Sequence, residues 1–230
     1  MPLAFISQSS IDAATRTNTT VTAPANIQDR DILRLYFSID SDPGPMPTIT
    51  PPTGFSQIAS NDATNVLGGS GVGDLSARVW EKRASGEAGS YTITHASSFT
   101  SAYIEVIRGA WETGNAEDFT ATTNFVDANG TNYTATGGTT SNDNSYITFA
   151  SMCWNDGSPF TPPTGTTPQF NERYDPAGGT LYIAGGILAT AGSTGDKTAT
   201  GNTQGADGGQ IGVLTSVKEQ PLFPPMFRGS

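Results

Sequence analysis

Ile32-Leu33-Arg34-Leu35-Tyr36-Phe37-Ser38-Ile39 decides the fold class, because its large apolar residues recur at every second position. Leu33, Leu35, Phe37 and Ile39 point one way, and Arg34 and Ser38 point the other. That is the period-two signature of a half-buried strand. The same alternation puts Ala102, Ile104 and Val106 opposite Tyr103 and Glu105. It makes a third face of Leu75, Ala77 and Val79 and a fourth of Tyr91 and Ile93. Thirty-three threonines reinforce the reading, since a β-branched side chain loses rotamer freedom in a helix, and 27 glycines and 15 prolines require frequent turns.

Working outward from that strand, the chain repeats itself. Thr50-Pro51-Pro52-Thr53-Gly54 returns as Thr161-Pro162-Pro163-Thr164-Gly165. Upstream, Asp29-Arg30-Asp31 opens the run from Ile32 to Ile39, and Asn142-Asp143-Asn144 opens the run from Tyr146 to Cys153. Downstream, Leu75 to Thr94 lies on Leu181 to Thr200, which matches Gly86 and Gly89 with Gly192 and Gly195 at hairpin turns that need positive φ. Apolar runs from Ala102 to Arg108 and from Ile211 to Val217 close the halves. The offset drifts between about 106 and 113 residues, as loop-length changes between duplicated halves would produce.

The expected fold is all-β: a jelly-roll-like antiparallel β-sandwich with an internally duplicated half of about 100 residues and about six short strands per half. It spans residues 1–218, with pseudo-repeats at about 19–109 and 132–218 joined by 110–131. Two small sandwiches or one interlocked unit both satisfy a duplication. The join retains aromatic residues and is no Gly/Ser linker, which favours one compact unit. Residues 219–230 form a proline-rich apolar arm carrying Leu222, Phe223, Met226 and Phe227. Proline lacks the donor for a sheet centre, so the arm is expected to dock on a partner.

Charge and composition exclude several functions. Eleven basic against 21 acidic residues leave a net charge of −10, and three lysines give phosphate little to bind, so no nucleic-acid partner is expected. Cys153 is the single cysteine, which precludes an intramolecular disulfide and reads as a small buried side chain. Met1-Pro2-Leu3-Ala4-Phe5-Ile6-Ser7 has no basic region leading a long apolar run, and nowhere do 18 apolar residues run together. Neither a signal peptide nor a membrane span is expected. Sequons at Asn18, Asn129 and Asn132 are chance matches in that setting.

The candidate sites each have a plainer reading. His95 lies beside Ala96 and Ser97 but lacks a nucleophile elbow, so it reads as a solvated strand-end residue. Glu117 with Asp118, or Asp40 with Asp42, could pair as hydrolytic carboxylates, yet adjacent acids on loops usually face solvent. Asp40-Ser41-Asp42 and Asp127-Ala128-Asn129-Gly130-Thr131-Asn132 offer oxygen ligands to calcium without completing a loop motif. Trp80, Trp111, Trp154, Tyr174 and Tyr182 could stack on sugar or fill a core. No cofactor, no metal and no catalytic residue is expected.

The ordered pattern of a polar turn, an apolar strand, Pro51-Pro52-Thr53-Gly54-Phe55, a strand-turn-strand through Ser85-Gly86-Glu87-Ala88-Gly89-Ser90-Tyr91-Thr92, and Ala102-Tyr103-Ile104-Glu105-Val106-Ile107-Arg108-Gly109 resembles a recurrent β-sandwich of tailed-bacteriophage virion proteins and related bacterial surface proteins. The resemblance covers about residues 19 to 218. In the second copy Gly165 is followed by Thr166-Thr167-Pro168-Gln169 before Phe170, and the strands carry fewer large apolar residues. The resemblance implies a non-enzymatic structural protein of the virion, of the capsid decoration, head-fibre or tail-fibre type. An outer-surface decoration or cement protein is expected, made in the host cytoplasm and contacting the major capsid protein or neighbouring copies as a homo-oligomer. The alternative is a tail-fibre or adhesin module binding host glycan.

Overall fold

The computed structural model describes residues 2–41, 46–63, 74–112, 114–127, 130–153, 158–164, 168–175, 180–202 and 209–221. The four apolar residues assigned to the arm lie outside them. Five strands come from the first half: β1 (Ala4–Thr22), β2 (Ile32–Ser41), β3 (Ser56–Ala63), β4 (Asp74–Arg83) and β5 (Ser90–Arg108). Nine follow: β6 (Thr122–Asp127), β7 (Asn132–Ala135), β8 (Thr139–Thr140), β9 (Ser145–Cys153), β10 (Asn171–Tyr174), β11 (Leu181–Leu188), β12 (Gly192–Ser193), β13 (Lys197–Thr200) and β14 (Gly209–Val217). The protein is an all-β antiparallel sandwich, with no helix among the described residues.

Each large sheet takes its strands from one half of the chain. The first runs β1-β5-β2-β4-β3, and the second, read from its opposite edge, runs β6-β14-β9-β11-β10. The runs from Ile32, Leu75 and Ala102 and their matches from Tyr146, Leu181 and Ile211 fall on strands in the same place in the two orders, whereas Tyr91–Thr94 belongs to β5 and its match Lys197–Thr200 is β13 of a separate two-stranded ladder. Thr50 bridges Thr94 in the first half, and Thr161 bridges Thr200 in the second. Gly86, Gly89, Gly192 and Gly195 all have positive φ, and at none of them does a neighbour lie where a Cβ would sit, so conformation alone calls for glycine there.

Two expectations about strands need correcting. Tyr91–Thr94 and Ala102–Arg108 are not separate strands but parts of β5, which pairs with β1 over its whole length. Register shifts near Ser7, Ala14 and Asn18 interrupt the pairing, and bulges of this kind bend a ribbon. The ribbon's far end brings Val21, Tyr91 and Ile93 onto Leu33, Leu35 and Phe37 of the same sheet. The segment read as a join also contributes β6, which extends the second sheet by pairing with β14.

β2 is buried on both faces rather than half-buried. Its Leu33, Leu35, Phe37 and Ile39 enter an outer core with Phe55, Trp80, Ala102, Ile104 and Val106. Its Ile32, Arg34, Tyr36 and Ser38 face the second sheet. Sheet-on-sheet packing covers that side, so the polar members of the alternation are buried too. Between the sheets, Tyr36, Leu75, Ala77, Val79 and Tyr103 meet Ala150, Met152, Leu181, Ile183, Ile211 and Val213. The second sheet has its own outer core, where Ile147, Phe149, Cys153 and Leu214 lie under Tyr133, Ala135 and Ala199 of β7 and β13.

Candidate functional site

The candidate docking surface is the end of the sandwich where β5 and β14 finish. β5 ends at Arg108 and β14 at Val217. The residues beyond both strands pair antiparallel, through a bridge between Ala110 and Glu219. The Trp111 N–H donates to the Lys218 carbonyl at 3.1 Å, and the Gln220 N–H donates to the Gly109 carbonyl at 2.9 Å. Gln220 Oε1 accepts from the Glu112 N–H at 2.6 Å, Glu219 accepts from Asn144 Nδ2 at 2.9 Å, and the Lys218 ammonium sits 5.3 Å from the Trp111 ring centroid. The chain is therefore anchored up to Gln220, and Pro221 is exposed.

A second clamp supports this end. Asp31, at the mouth of β2, is almost wholly buried and takes both oxygens of its carboxylate to Arg108, Nε at 2.9 Å and Nη2 at 2.8 Å. The Asp31 hydrogen bond raises the Arg108 pKa further above its ordinary value. The planar fork of arginine matches a carboxylate in this way and lysine does not.

The sequence-predicted chemistry is distributed through the packing instead. His95 is buried, not solvated: it belongs to the middle of β5, where the ribbon turns over Phe37. Its Nδ1 donates to the Ala96 carbonyl at 2.7 Å, and its Nε2 lies 2.8 Å from the Thr19 hydroxyl. Glu117 and Asp118 are half-buried turn staples rather than solvated acids. Asp118 accepts hydrogen bonds from Ser141, Asn142 and Ser145. Burial alone would raise its pKa, but the bonds from Ser145, Ser141 and Asn142 hold it below the usual carboxylate range. Burial raises the neighbouring Glu117.

The proposed aromatic platform does not assemble. Trp80 is buried in the first outer core, Tyr174 between the sheets and Tyr182 in the second outer core. Trp111 keeps partial exposure beneath Lys218, and Trp154 lies outside the described residues. Asp40 is buried, while Asp42 and residues 128–129 lie outside the described residues. Among the described residues no group of three or more His, Cys, Asp or Glu side chains is placed to hold a metal ion.

Sequence reasoning missed the buried polar cluster between the sheets. Arg34 is fully buried, with Nη2 2.5 Å from Glu81 Oε2 and Nη1 2.8 Å from Thr215 Oγ1. Burial acts to lower its pKa, but the charges of Glu81, Tyr36 and Glu105 and the hydrogen bond to Glu81 together outweigh it and raise the value. Glu105, also fully buried, accepts from the Tyr36 hydroxyl at 3.1 Å and the Thr148 hydroxyl at 2.8 Å. Burial raises its pKa above the ordinary glutamate value. The available signal was polar residues on the far face of strands already rich in large apolar ones.

No family model matches the chain, and no curated protein matches it. Among solved structures, a chain described as Cucumber Leaf Spot Virus is similar over 96% of this chain and 73% of its own, at 13% identity and a TM-score of 0.25. At that identity and score the likeness carries no argument about this protein.

Proposed function

We propose that the protein is a non-enzymatic structural component of a tailed-phage virion, acting as an outer-surface capsid decoration or cement protein. The observation that carries the reading is the anchored stretch Lys218–Gln220, which is followed in the sequence by a proline-rich segment with Leu222, Phe223, Met226 and Phe227. A sandwich packed on both sides of each sheet supplies a rigid base. A segment with restricted backbone loses less entropy on docking in extended form, and its four large side chains supply apolar area to bury against a capsid subunit or a neighbouring copy. His95, Trp80, Tyr174 and Tyr182 are engaged in packing, which supports an adhesive over a chemical role. The acidic balance and the strand-and-turn motifs agree with the same setting.

The test is deletion of residues 221–230, which leaves the Gln220 anchor in place. The truncated protein is expected to keep a nearly unchanged melting temperature and to lose binding to particles lacking the native protein. A markedly lower melting temperature with particle binding retained would assign the arm to its own sandwich and overturn the docking role.

A further inference from the structure

We infer that the two sheets meet across an internal two-fold axis, so that the chain is a covalently joined pair of like halves whose seam can part while each half stays folded. The partner that each seam face fits is therefore a second copy of such a half. The inference does not rest on the proposed virion role.

The contacts across the seam are reciprocal. Arg34 is paired with Glu105 across β2 and β5, and Thr148 with Thr215 at the same place across β9 and β14. Arg34 Nη1 donates to Thr215 Oγ1 at 2.8 Å, and Thr148 Oγ1 donates to Glu105 Oε1 at 2.8 Å. Exchanging the halves turns one contact into the other. The edges behave alike: Asn61 of β3 donates to Thr123 of β6, and Gln8 of β1 donates to the Arg173 carbonyl of β10. The two tails also meet at this end, as an antiparallel bridge between Ala110 and Glu219. A contact in which patch i meets patch j and j meets i is the mark of an isologous interface.

The cores are divided correspondingly. The outer core around Leu35, Phe37 and Ile104 contains residues of the first half only. The outer core around Phe149, Tyr182 and Leu214 contains residues of the second half only. The core containing Tyr36 and Ala150 is shared. Parting the seam would uncover the shared core while leaving both private cores and every β-ladder of the two large sheets intact. Local opening of this kind needs less free energy than global unfolding.

β9 carries a reporter for each core. Ala150 and Cys153 are both fully buried, Ala150 in the shared core and Cys153 in the private core of the second half. In the full chain carrying Ala150→Cys, a thiol reagent under native conditions is expected to label position 150 about tenfold or more faster than Cys153, with the Cys153 rate as in wild type. Ala77→Cys, across the seam on β4, provides the same readout if the first variant does not fold. Labelling of the seam thiol and Cys153 in one phase, at the rate of global unfolding, would overturn the inference and leave the arm-docking proposal untouched.

Discussion

Glu105 is a carboxylate held in the seam by hydroxyl groups, and burial raises its pKa. The folded state thus binds its proton more tightly than the unfolded chain does. The stability this contributes is fully present below the ordinary glutamate range and is lost as pH rises through the folded value. Glu105→Gln removes that titration. Wild type is therefore expected to gain stability relative to the variant as pH falls from neutral to about 4, measured by denaturant melts at each pH. A gap that widens in the opposite direction would mean that the charged form is the favoured one in the fold. Phe37, in the private core with Trp80 and His95 against its ring, gives a plainer case. Phe37→Ala is expected to cost about 3–5 kcal/mol in a chemical melt, the range for removing a buried aromatic side chain. At this scale the sequence showed which side of β2 carries Leu35 and Phe37, because alternation is local. It did not show that Arg34 is buried, because Glu81 and Thr215 lie 47 and 181 residues away along the chain.

Among the elements, β14 shows why the second half is poorer in large side chains. Gly212 faces β7, and a Cβ built on it would lie 2.0 Å from the Thr134 carbonyl oxygen. The second sheet is covered there by the backbone of a short separate ladder, β7 with β13, pressed close to it. The first sheet is covered by the far end of the continuous β1–β5 ribbon. Gly212→Ala must push that ladder away, and is expected to destabilise the protein by about 1–3 kcal/mol, a typical cost of overpacking, with thermal melting as the check. An unchanged melting temperature would show that the ladder is free to shift. The turn glycines were legible because hairpins demand positive φ at fixed offsets. The single long β5 was not, since His95-Ala96-Ser97-Ser98 has no large apolar residue to keep the alternation visible. Nor was β6, whose pairing with β14 lies beyond any local window.

As a whole molecule, the protein stacks two outer cores on a shared seam and anchors its C-terminal segment beside the end of β5. The strand-rich class and the order of motifs could be read from the sequence, since turns and alternation recur along it. The seam could not, because sheets built from separate halves meet only in three dimensions. A decoration protein belongs to the outer shell of the phage head. Quantitative mass spectrometry of separated heads and tails from purified particles tests that placement most directly. The protein is expected in the head fraction, at a fixed ratio to the major capsid protein, and not in tails. Recovery in the tail fraction alone, or from neither, would contradict it.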